Sequence, residues 1–253
     1  MSLLRANYDF MTEKMYENLF IDDTPFYVEN FVYNPECLAT WKDVEICCNQ
    51  PWQPGYLMDP NKGKVIPDGH EWACHGKTKE RFDMLYNQGG VCFLDYGEHN
   101  EETNELMGFF EDKFNVNARG FLQAHLEPMT GYGLHCDARE TMGIFIVQIE
   151  GRTDWKIYNN RLSSLVNVDH PVHMAFNSKR ESGETQKLFD ERLKLVIDVR
   201  MNPGDLIYIP HRMYHHATPF EKRLSLSIPC FAREQGDKPE IDRRYYRIDK
   251  SLI

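Results

Sequence analysis

The second half of the chain, from Arg119 onward, is built of short apolar or alternating runs separated by turn residues. Strands of this kind, with no helix-length periodic segment between most of them, are typical of antiparallel double-sheet barrels. The pattern therefore predicts a mainly β fold, a jelly roll or double-stranded β-helix. Its eight candidate strands are RGFLQAHL, YGLHCD, GIFIVQI, DWKIY, LVIDVR, DLIYI, HHATPF and RLSLSIPCF.

The first 110 residues have a mixed texture, with aromatic stretches and clusters of Pro and Gly. Two helices are predicted in this region, over about Thr78–Asn87 and about Glu101–Phe114. We therefore expect an N-terminal helical elaboration that supports the barrel. The second helix is indicated by apolar side chains at helical spacing, namely Leu106, Phe109, Phe110 and Phe114.

The chain is expected to form a single domain over residues 1–253, because its length suits one core and it contains no linker or internal repeat. A polar and charged stretch from Asn159 to Arg192 interrupts the strands between the fourth and the fifth. Long irregular inserts in compact domains are usually functional, so this insert is predicted to close over a substrate. The expected parts are a helical N-terminal region at about 1–117, a β-barrel core at about 118–231 and a C-terminal tail at 232–253.

Composition narrows the class of protein. Hydrophobic residues make up 42% and charged residues 27% of the 253 residues, a soluble globular mixture. No apolar run approaches the roughly 18–20 residues of a membrane span, and the first residues lack the features of a signal peptide. The net charge of -10 disfavours nucleic acid as a partner, and seven cysteines without repeated spacing indicate reduced thiols. We therefore expect a cytoplasmic protein without membrane contacts.

A candidate metal site is formed by His135, Asp137 and His215. Residues two apart on a strand project from the same face, so the His-x-Asp of LHCD directs an imidazole and a carboxylate toward one point. His215 follows the strand DLIYI and, in a jelly roll, the second and seventh strands can be neighbours. Two His and one carboxylate leave three coordination positions open, which suits non-haem Fe(II).

These and nearby residues also allow simpler interpretations. A His-x-Asp pair is more often solvated or part of a turn, and only its context between a Gly-rich turn and a buried strand favours a ligand pair. His216 is expected to point away from His215 and to be structural. A zinc site made from Cys47, Cys48, Cys74 and His75 is disfavoured, because none of these residues has zinc-ligand spacing.

The stretches NARGFLQAHLEPMTGYGLHCD, FIVQIEGRTDWKIY and MNPGDLIYIPHRMYHHA resemble the JmjC-type, cupin-like oxygenases that depend on Fe(II) and 2-oxoglutarate. The resemblance covers about Ala118–Phe231 and is strongest to the protein hydroxylases of that group. It implies hydroxylation by O2 of an unactivated C–H on an amino-acid side chain of a peptide or protein, with His135, Asp137 and His215 as iron ligands. The alternatives are a hydroxylase of a free amino acid or small natural product, or a metal-binding cupin that does not use 2-oxoglutarate.

One position departs from the family pattern. The family usually places a Lys on the fourth strand to bind the distal carboxylate of 2-oxoglutarate, and here that residue is Thr153. Arg223 and Ser225 alternate with leucines on the last strand, so a cation and a hydroxyl share one face and are predicted to replace the Lys. Arg152 and Lys156 remain alternatives for the cation.

The resemblance also suggests a contribution from Tyr132, three residues before His135. Its hydroxyl is expected to bind the same distal carboxylate. An aromatic residue after a glycine is equally compatible with simple packing.

Overall fold

The structure of the protein is a computed structural model. Among the described residues, two longer helices lie before the barrel strands. Helix α1 spans Trp41–Asn49 and helix α2 spans Glu101–Phe114, while Tyr8–Phe10 and Pro35–Cys37 form short 3-10 turns. Within the described residues, no helix is long and apolar enough to cross a membrane. The described residues are 3–11, 19, 24–49, 55–59, 64–66, 91–96, 100–126, 141–161 and 193–233.

Within the described ranges, twelve strands form two antiparallel sheets. The major sheet has the order β1-β10-β7-β12-β6-β4-β2-β3, with β5 also paired to β12, and the minor sheet has the order β11-β8-β9. The strands are β1 Phe26–Val28, β2 Gly55–Asp59, β3 Lys64–Ile66, β4 Val91–Asp95, β5 Val116–Ala118, β6 Phe121–His125, β7 Gly143–Glu150, β8 Thr153–Arg161, β9 Leu195–Met201, β10 Leu206–Pro210, β11 Met213–Pro219 and β12 Arg223–Ala232.

Seven of the eight predicted barrel strands are present as β6 to β12. The remaining one, YGLHCD, lies outside the described residues, as does the helix predicted over about Thr78–Asn87. The N-terminal part adds strands that the sequence did not predict: β1 to β4 extend the major sheet on both sides. The N-terminal part therefore contributes directly to the wall of the barrel as well as carrying helices.

Helix α2 has the predicted bounds, and both of its ends have a local cause. The Asn100 side chain accepts a hydrogen bond from the Thr103 backbone N–H at 2.9 Å, which caps the N-terminus. Asn115 ends the helix in the left-handed conformation, with φ 52°. Phe110 and Phe114 stack on Phe145 of β7, with ring centroids 4.2 Å and 5.3 Å apart, so the apolar face of α2 covers the major sheet.

The expected insert begins later than the sequence suggested. Residues Asn159–Arg161 belong to β8, and the Asn159 N–H donates to the Lys194 carbonyl at 2.8 Å. The prediction that the insert starts at Asn159 was therefore wrong, because polar residues at the end of a strand look like loop residues until the pairing with a neighbouring strand is known. The rest of the stretch, residues 162–192, lies outside the described residues.

The major sheet separates two buried regions. Its outer face packs on the N-terminal helices in one large apolar cluster, to which β12 contributes Leu224, Leu226 and Ile228. Its inner face meets the minor sheet across the barrel in a smaller cluster that includes Ile146, Trp155 and Ile157. The inner face also carries the polar side chains described below.

Candidate active site

A row of polar side chains crosses the inner face of the major sheet. On β12, Arg223 and Ser225 lie on the face opposite the leucines. Their register partners on β6 are His125 and Gln123, respectively, and Gln148 of β7 is opposite Ser225 on the other side. Residues directly opposite each other in an antiparallel pair lie on the same face of the sheet. Three neighbouring strands therefore direct polar groups into one part of the barrel.

Arg223 is the charged group of this row, and its side chain is 1% exposed. Its Nη2 donates to Gln123 Oε1 at 3.3 Å, and its Cζ lies 5.4 Å from the centre of the Trp155 ring. Among the described residues, Nε has no hydrogen-bond partner, and no carboxylate forms an ion pair with the guanidinium. Burial lowers the pKa of Arg223 to about 9, so the group still carries its charge at neutral pH.

Further buried polar atoms occur on the walls around Arg223. Ser225 Oγ, Gln148 Oε1, Thr153 Oγ1 and Trp155 Nε1 have no hydrogen-bond partner within the described part of the chain. Buried polar groups in native proteins are nearly always hydrogen-bonded, so a group of them without protein partners indicates a place for a polar ligand. Together with the uncompensated cation, they favour an anionic one.

Two strand ends approach each other closely beside Arg223. Gly151 turns the chain from β7 into β8 with φ +72°, and a Cβ atom there would collide with the Lys222 carbonyl, next to the Arg223 backbone. The turn therefore brings the start of β8 against the start of β12. Thr153 and Trp155 are buried residues at the start of β8, on its inner face, and the Trp155 ring is 5.4 Å from Arg223 Cζ.

His215 lies on the inner face of β11 and is 2% exposed. Its Nδ1 is 2.9 Å from the Met213 carbonyl oxygen, which can only accept, so Nδ1 carries the hydrogen and the lone pair lies on Nε2. A backbone carbonyl bound to the second ring nitrogen is the usual support of a metal-binding histidine. The centres of the His215 and Trp155 rings are 5.9 Å apart, so Trp155 is a neighbour of both the histidine and Arg223.

His216 is half-buried on the other face of β11, as expected, with Nε2 3.4 Å from Thr218 Oγ1. Burial, followed by the charges of His215 and Lys156, lowers the pKa of His216. Its position opposite Lys156 puts it outside the barrel, away from the inner polar row.

Part of the predicted site lies outside the described residues. His135, Asp137 and Tyr132 lie outside the described residues, and within those residues no three His, Cys, Asp or Glu side chains could hold a metal together. The three-ligand iron site therefore stays a prediction, for which His215 has a suitable orientation.

The cysteines give no support to a zinc site. Cys47 and Cys48 of α1 are buried in the large apolar cluster, whereas Cys74 and His75 lie outside the described residues. Cys37 and Cys230 are free thiols, in agreement with the expectation of reduced cysteines.

Comparison with known proteins decides the family. A model of the JmjC domain matches residues 99–237, which is more than half of the chain. The chain belongs to the JmjC family. The resemblance inferred from the motifs is thereby confirmed, and with it the expected type of barrel.

Relatives of this JmjC chain are oxygenases. It is 30% identical over 100 residues to the bifunctional lysine-specific demethylase and histidyl-hydroxylase NO66 of Culex quinquefasciatus, covering 39% of this chain and 13% of that protein. It is 28% identical over 136 residues to ribosomal oxygenase 1 of Danio rerio, covering 53% of this chain and 22% of that protein. The chain thus spans less than a quarter of the length of either relative.

Solved structures confirm the jelly-roll fold. The Escherichia coli ribosomal oxygenase YcfD, in complex with cobalt and 2-oxoglutarate, aligns with a TM-score of 0.60 at 17% identity. The alignment covers 92% of this chain and 54% of YcfD. A second YcfD structure, with cobalt and succinic acid, aligns with a TM-score of 0.59 at 18% identity and the same coverage.

The three basic residues that could replace the missing JmjC lysine differ in their burial. Arg152 is half exposed and donates from Nε to Glu221 Oε1 at 2.8 Å. Lys156 is exposed on the outer face of β8. Of the three, only Arg223 is buried inside the JmjC barrel, next to the β8 face that carries Thr153.

Sequence reasoning missed several inner polar residues of this JmjC barrel, namely Gln123, His125 and Gln148. A signal for two of them was present, because FLQAH places polar residues at every second position of a strand whose other positions are apolar. Such alternation usually means a solvated face. Only the pairing of β6 with β12 reveals that this face is buried.

Proposed function

We propose that this chain is an Fe(II)- and 2-oxoglutarate-dependent dioxygenase that hydroxylates an unactivated C–H bond. The observation that carries the proposal is the buried Arg223, which has no carboxylate partner among the described residues and shares the Trp155 ring as a neighbour with a histidine oriented for metal binding. A buried cation and a metal-binding histidine beside the same ring on the inner walls suit a ligand that is both a chelator and an anion. Membership of the JmjC family supports this reading.

The residues have distinct roles in this proposal. His135, Asp137 and His215 hold the iron, whereas Arg223 and Ser225, with Tyr132, bind the distal carboxylate of 2-oxoglutarate. Bound together with O2, iron and 2-oxoglutarate supply the oxidising chemistry, in which 2-oxoglutarate becomes succinate and CO2, and the substrate C–H becomes C–OH.

The chain itself supplies a dry and oriented pocket. Ile144 and Ile146 of β7, Ile207 and Ile209 of β10 and Ile157 of β8 are buried on the inner walls. In such surroundings, a charge-assisted hydrogen bond from Arg223 to a carboxylate is stronger than it would be in water. The same walls keep water away from the reacting centre, which limits side reactions.

The substrate that we propose is an amino-acid side chain in a peptide or protein. The names of the two curated relatives, a histidyl-hydroxylase and a ribosomal oxygenase, support this class. We place the reaction in the cytoplasm, in keeping with the free thiols of Cys37 and Cys230. The acidic net charge of -10 is a further reason to expect protein rather than nucleic acid.

Succinate release tests the proposed chemistry. Purified protein should convert 2-oxoglutarate to succinate when Fe(II) is added and should stop when a chelator removes it. His216→Ala is the matched control for His215→Ala, because it removes the adjacent imidazole on the outer face. A protein that binds metal but never consumes 2-oxoglutarate would instead be a metal-binding cupin.

A substrate screen then separates the remaining classes. Peptide libraries and protein extracts should give products that are heavier by one oxygen atom, with succinate formed in equal amount. If only free amino acids or small natural products stimulate succinate release, the protein-substrate proposal is wrong while the reaction type stands.

A further inference from the structure

The polar contact that orients Arg223 comes from a neutral side chain. Gln123 Oε1 accepts a hydrogen bond from Arg223 Nη2 at 3.3 Å. This is the single hydrogen bond of the guanidinium to a described residue. Gln123 lies on β6, one inner position away from His125, the direct register partner of Arg223. On another side, the guanidinium faces the Trp155 ring at 5.4 Å. Two neighbouring groups thus restrain the guanidinium without neutralising it.

The charge of the side chain that accepts this hydrogen bond decides whether Arg223 remains available to a ligand. An amide oxygen satisfies one guanidinium N–H but leaves the positive charge in place. A carboxylate at the same position would form a charge-assisted, bidentate pair with the guanidinium. An incoming ligand would have to displace that carboxylate. Gln and Glu have nearly the same shape, so the side chain at position 123 decides between these two states.

We infer that Gln123 is a positioning residue that orients Arg223 and, because it is neutral, reserves the cation for the carboxylate of the co-substrate. The inference rests on the proposed function. It assigns no contact between Gln123 and the reacting atoms, since Gln123 acts through Arg223. It also explains why a buried arginine without a carboxylate partner among the described residues is retained inside the barrel.

The inference predicts that stability and affinity change in opposite directions. In Gln123→Glu, the new carboxylate should pair with Arg223 and remove the cost of a buried unpaired charge, so the ligand-free protein should melt at a higher temperature. The same pair should weaken 2-oxoglutarate binding by about 30-fold or more. In Gln123→Met, the acceptor is lost without added charge, and binding should weaken by about tenfold.

Calorimetric titration of 2-oxoglutarate into the Mn(II)-loaded protein measures these effects without turnover. We expect the Kd to rise in the order wild type, Gln123→Met, Gln123→Glu, with only Gln123→Glu melting above the wild type. In steady-state assays with Fe(II), Gln123→Met should raise the KM for 2-oxoglutarate and leave kcat within about twofold, the pattern of lost binding without lost chemistry.

The outcomes separate the inference from the function on which it rests. If wild type binds 2-oxoglutarate and either variant binds it within about twofold as well, Gln123 has no positioning role and the inference alone is wrong. If Gln123→Glu does not fold, Gln123→Met decides by the same criterion. If wild type binds no 2-oxoglutarate and releases no succinate, the proposed function fails and the inference fails with it.

Discussion

Along β12, the two faces of the major sheet are equally buried and chemically opposite. Along β12, Leu224, Leu226 and Ile228 point to the outer cluster, while Arg223 and Ser225 point into the barrel. All five side chains are at most 1% exposed. The outer ones are surrounded by apolar atoms, whereas Arg223 Nε and Ser225 Oγ have no hydrogen-bond partner in the described part of the chain. A buried cation beside other polar side chains, and not the degree of burial, distinguishes the inner side of β12 from its outer side.

The outer face is organised for stability. Phe145 of β7 stacks on Phe110 with ring centroids 4.2 Å apart and contacts Tyr208 of β10 at 4.8 Å. Packing of this kind removes apolar area from water and adds favourable aromatic contacts. The inner face lowers stability, because a buried cation that has no anion beside it in the described part of the chain destabilises the ligand-free fold. Binding of the co-substrate should recover that free energy.

The largest effect should follow from removing an iron ligand on the inner side. Asp137→Ala and His215→Ala are each expected to abolish turnover while leaving the fold intact, because a ligand is removed and the outer core is untouched. Succinate release at controlled Fe(II) concentration measures the loss, and circular dichroism checks the fold. Full activity in either variant would remove that residue from the ligand set.

The next effect should follow from removing the buried cation. Arg223→Met is expected to raise the KM for 2-oxoglutarate by about 30-fold or more, because the distal carboxylate loses its charged partner. The ligand-free variant should melt at a higher temperature than the wild type, since an unpaired charge is replaced by an apolar side chain of similar length. Steady-state kinetics and thermal melts measure the two quantities. A rise in KM for Arg152→Ala instead would shift the anchor to the barrel surface.

The insert is predicted to close over a substrate, and shortening it changes neither face of the major sheet. Residues 162–192 join β8 to β9, and replacing their centre by a short Gly linker should leave the barrel folded and 2-oxoglutarate turnover intact. The ratio of hydroxylated product to succinate should fall by about tenfold or more, because the substrate carbon is no longer held in place. Mass spectrometry and a succinate assay give this ratio. Unchanged coupling would make the insert a surface loop.

The smallest effects on binding should come from a matched pair of substitutions on β12. Leu226→Ala on the outer face should lower the free energy of unfolding by about 2–5 kcal/mol without changing the KM for 2-oxoglutarate. Ser225→Ala on the inner face should raise that KM by about threefold to tenfold and leave stability nearly unchanged. Denaturant unfolding and kinetics on the same samples compare the two. If both variants changed the same quantity, the division between the faces would be wrong.

Much of the barrel could be predicted from the sequence because its strands have local signals. The alternation in RLSLSIPCF indicates both the strand and its two faces, and the 3.6-residue spacing in α2 indicates that helix and its bounds. The strands β1 to β5 could not be predicted in this way. Three of the five have only three residues, and their pairing depends on partners far along the chain.

The site was only partly predictable for a related reason. Ser225 and Arg223 could be inferred because they share a strand, and His215 because of its motif. Gln123 and Trp155 contact Arg223 from other strands, so their roles depend on register and on sheet-to-sheet packing. The turn at Gly151, which brings these strands together, carries no local signal beyond a glycine.

The central claim is that the inner face binds the distal carboxylate of 2-oxoglutarate through Arg223. It is tested most directly by titrating 2-oxoglutarate and 2-oxovalerate, which lacks that carboxylate, into Mn(II)-loaded wild type and Arg223→Met. Wild type should prefer 2-oxoglutarate by about 30-fold or more, and Arg223→Met should lose that preference, since the cycle isolates the pair of groups. An equal preference in both proteins would contradict the account, because the carboxylate would then be recognised elsewhere.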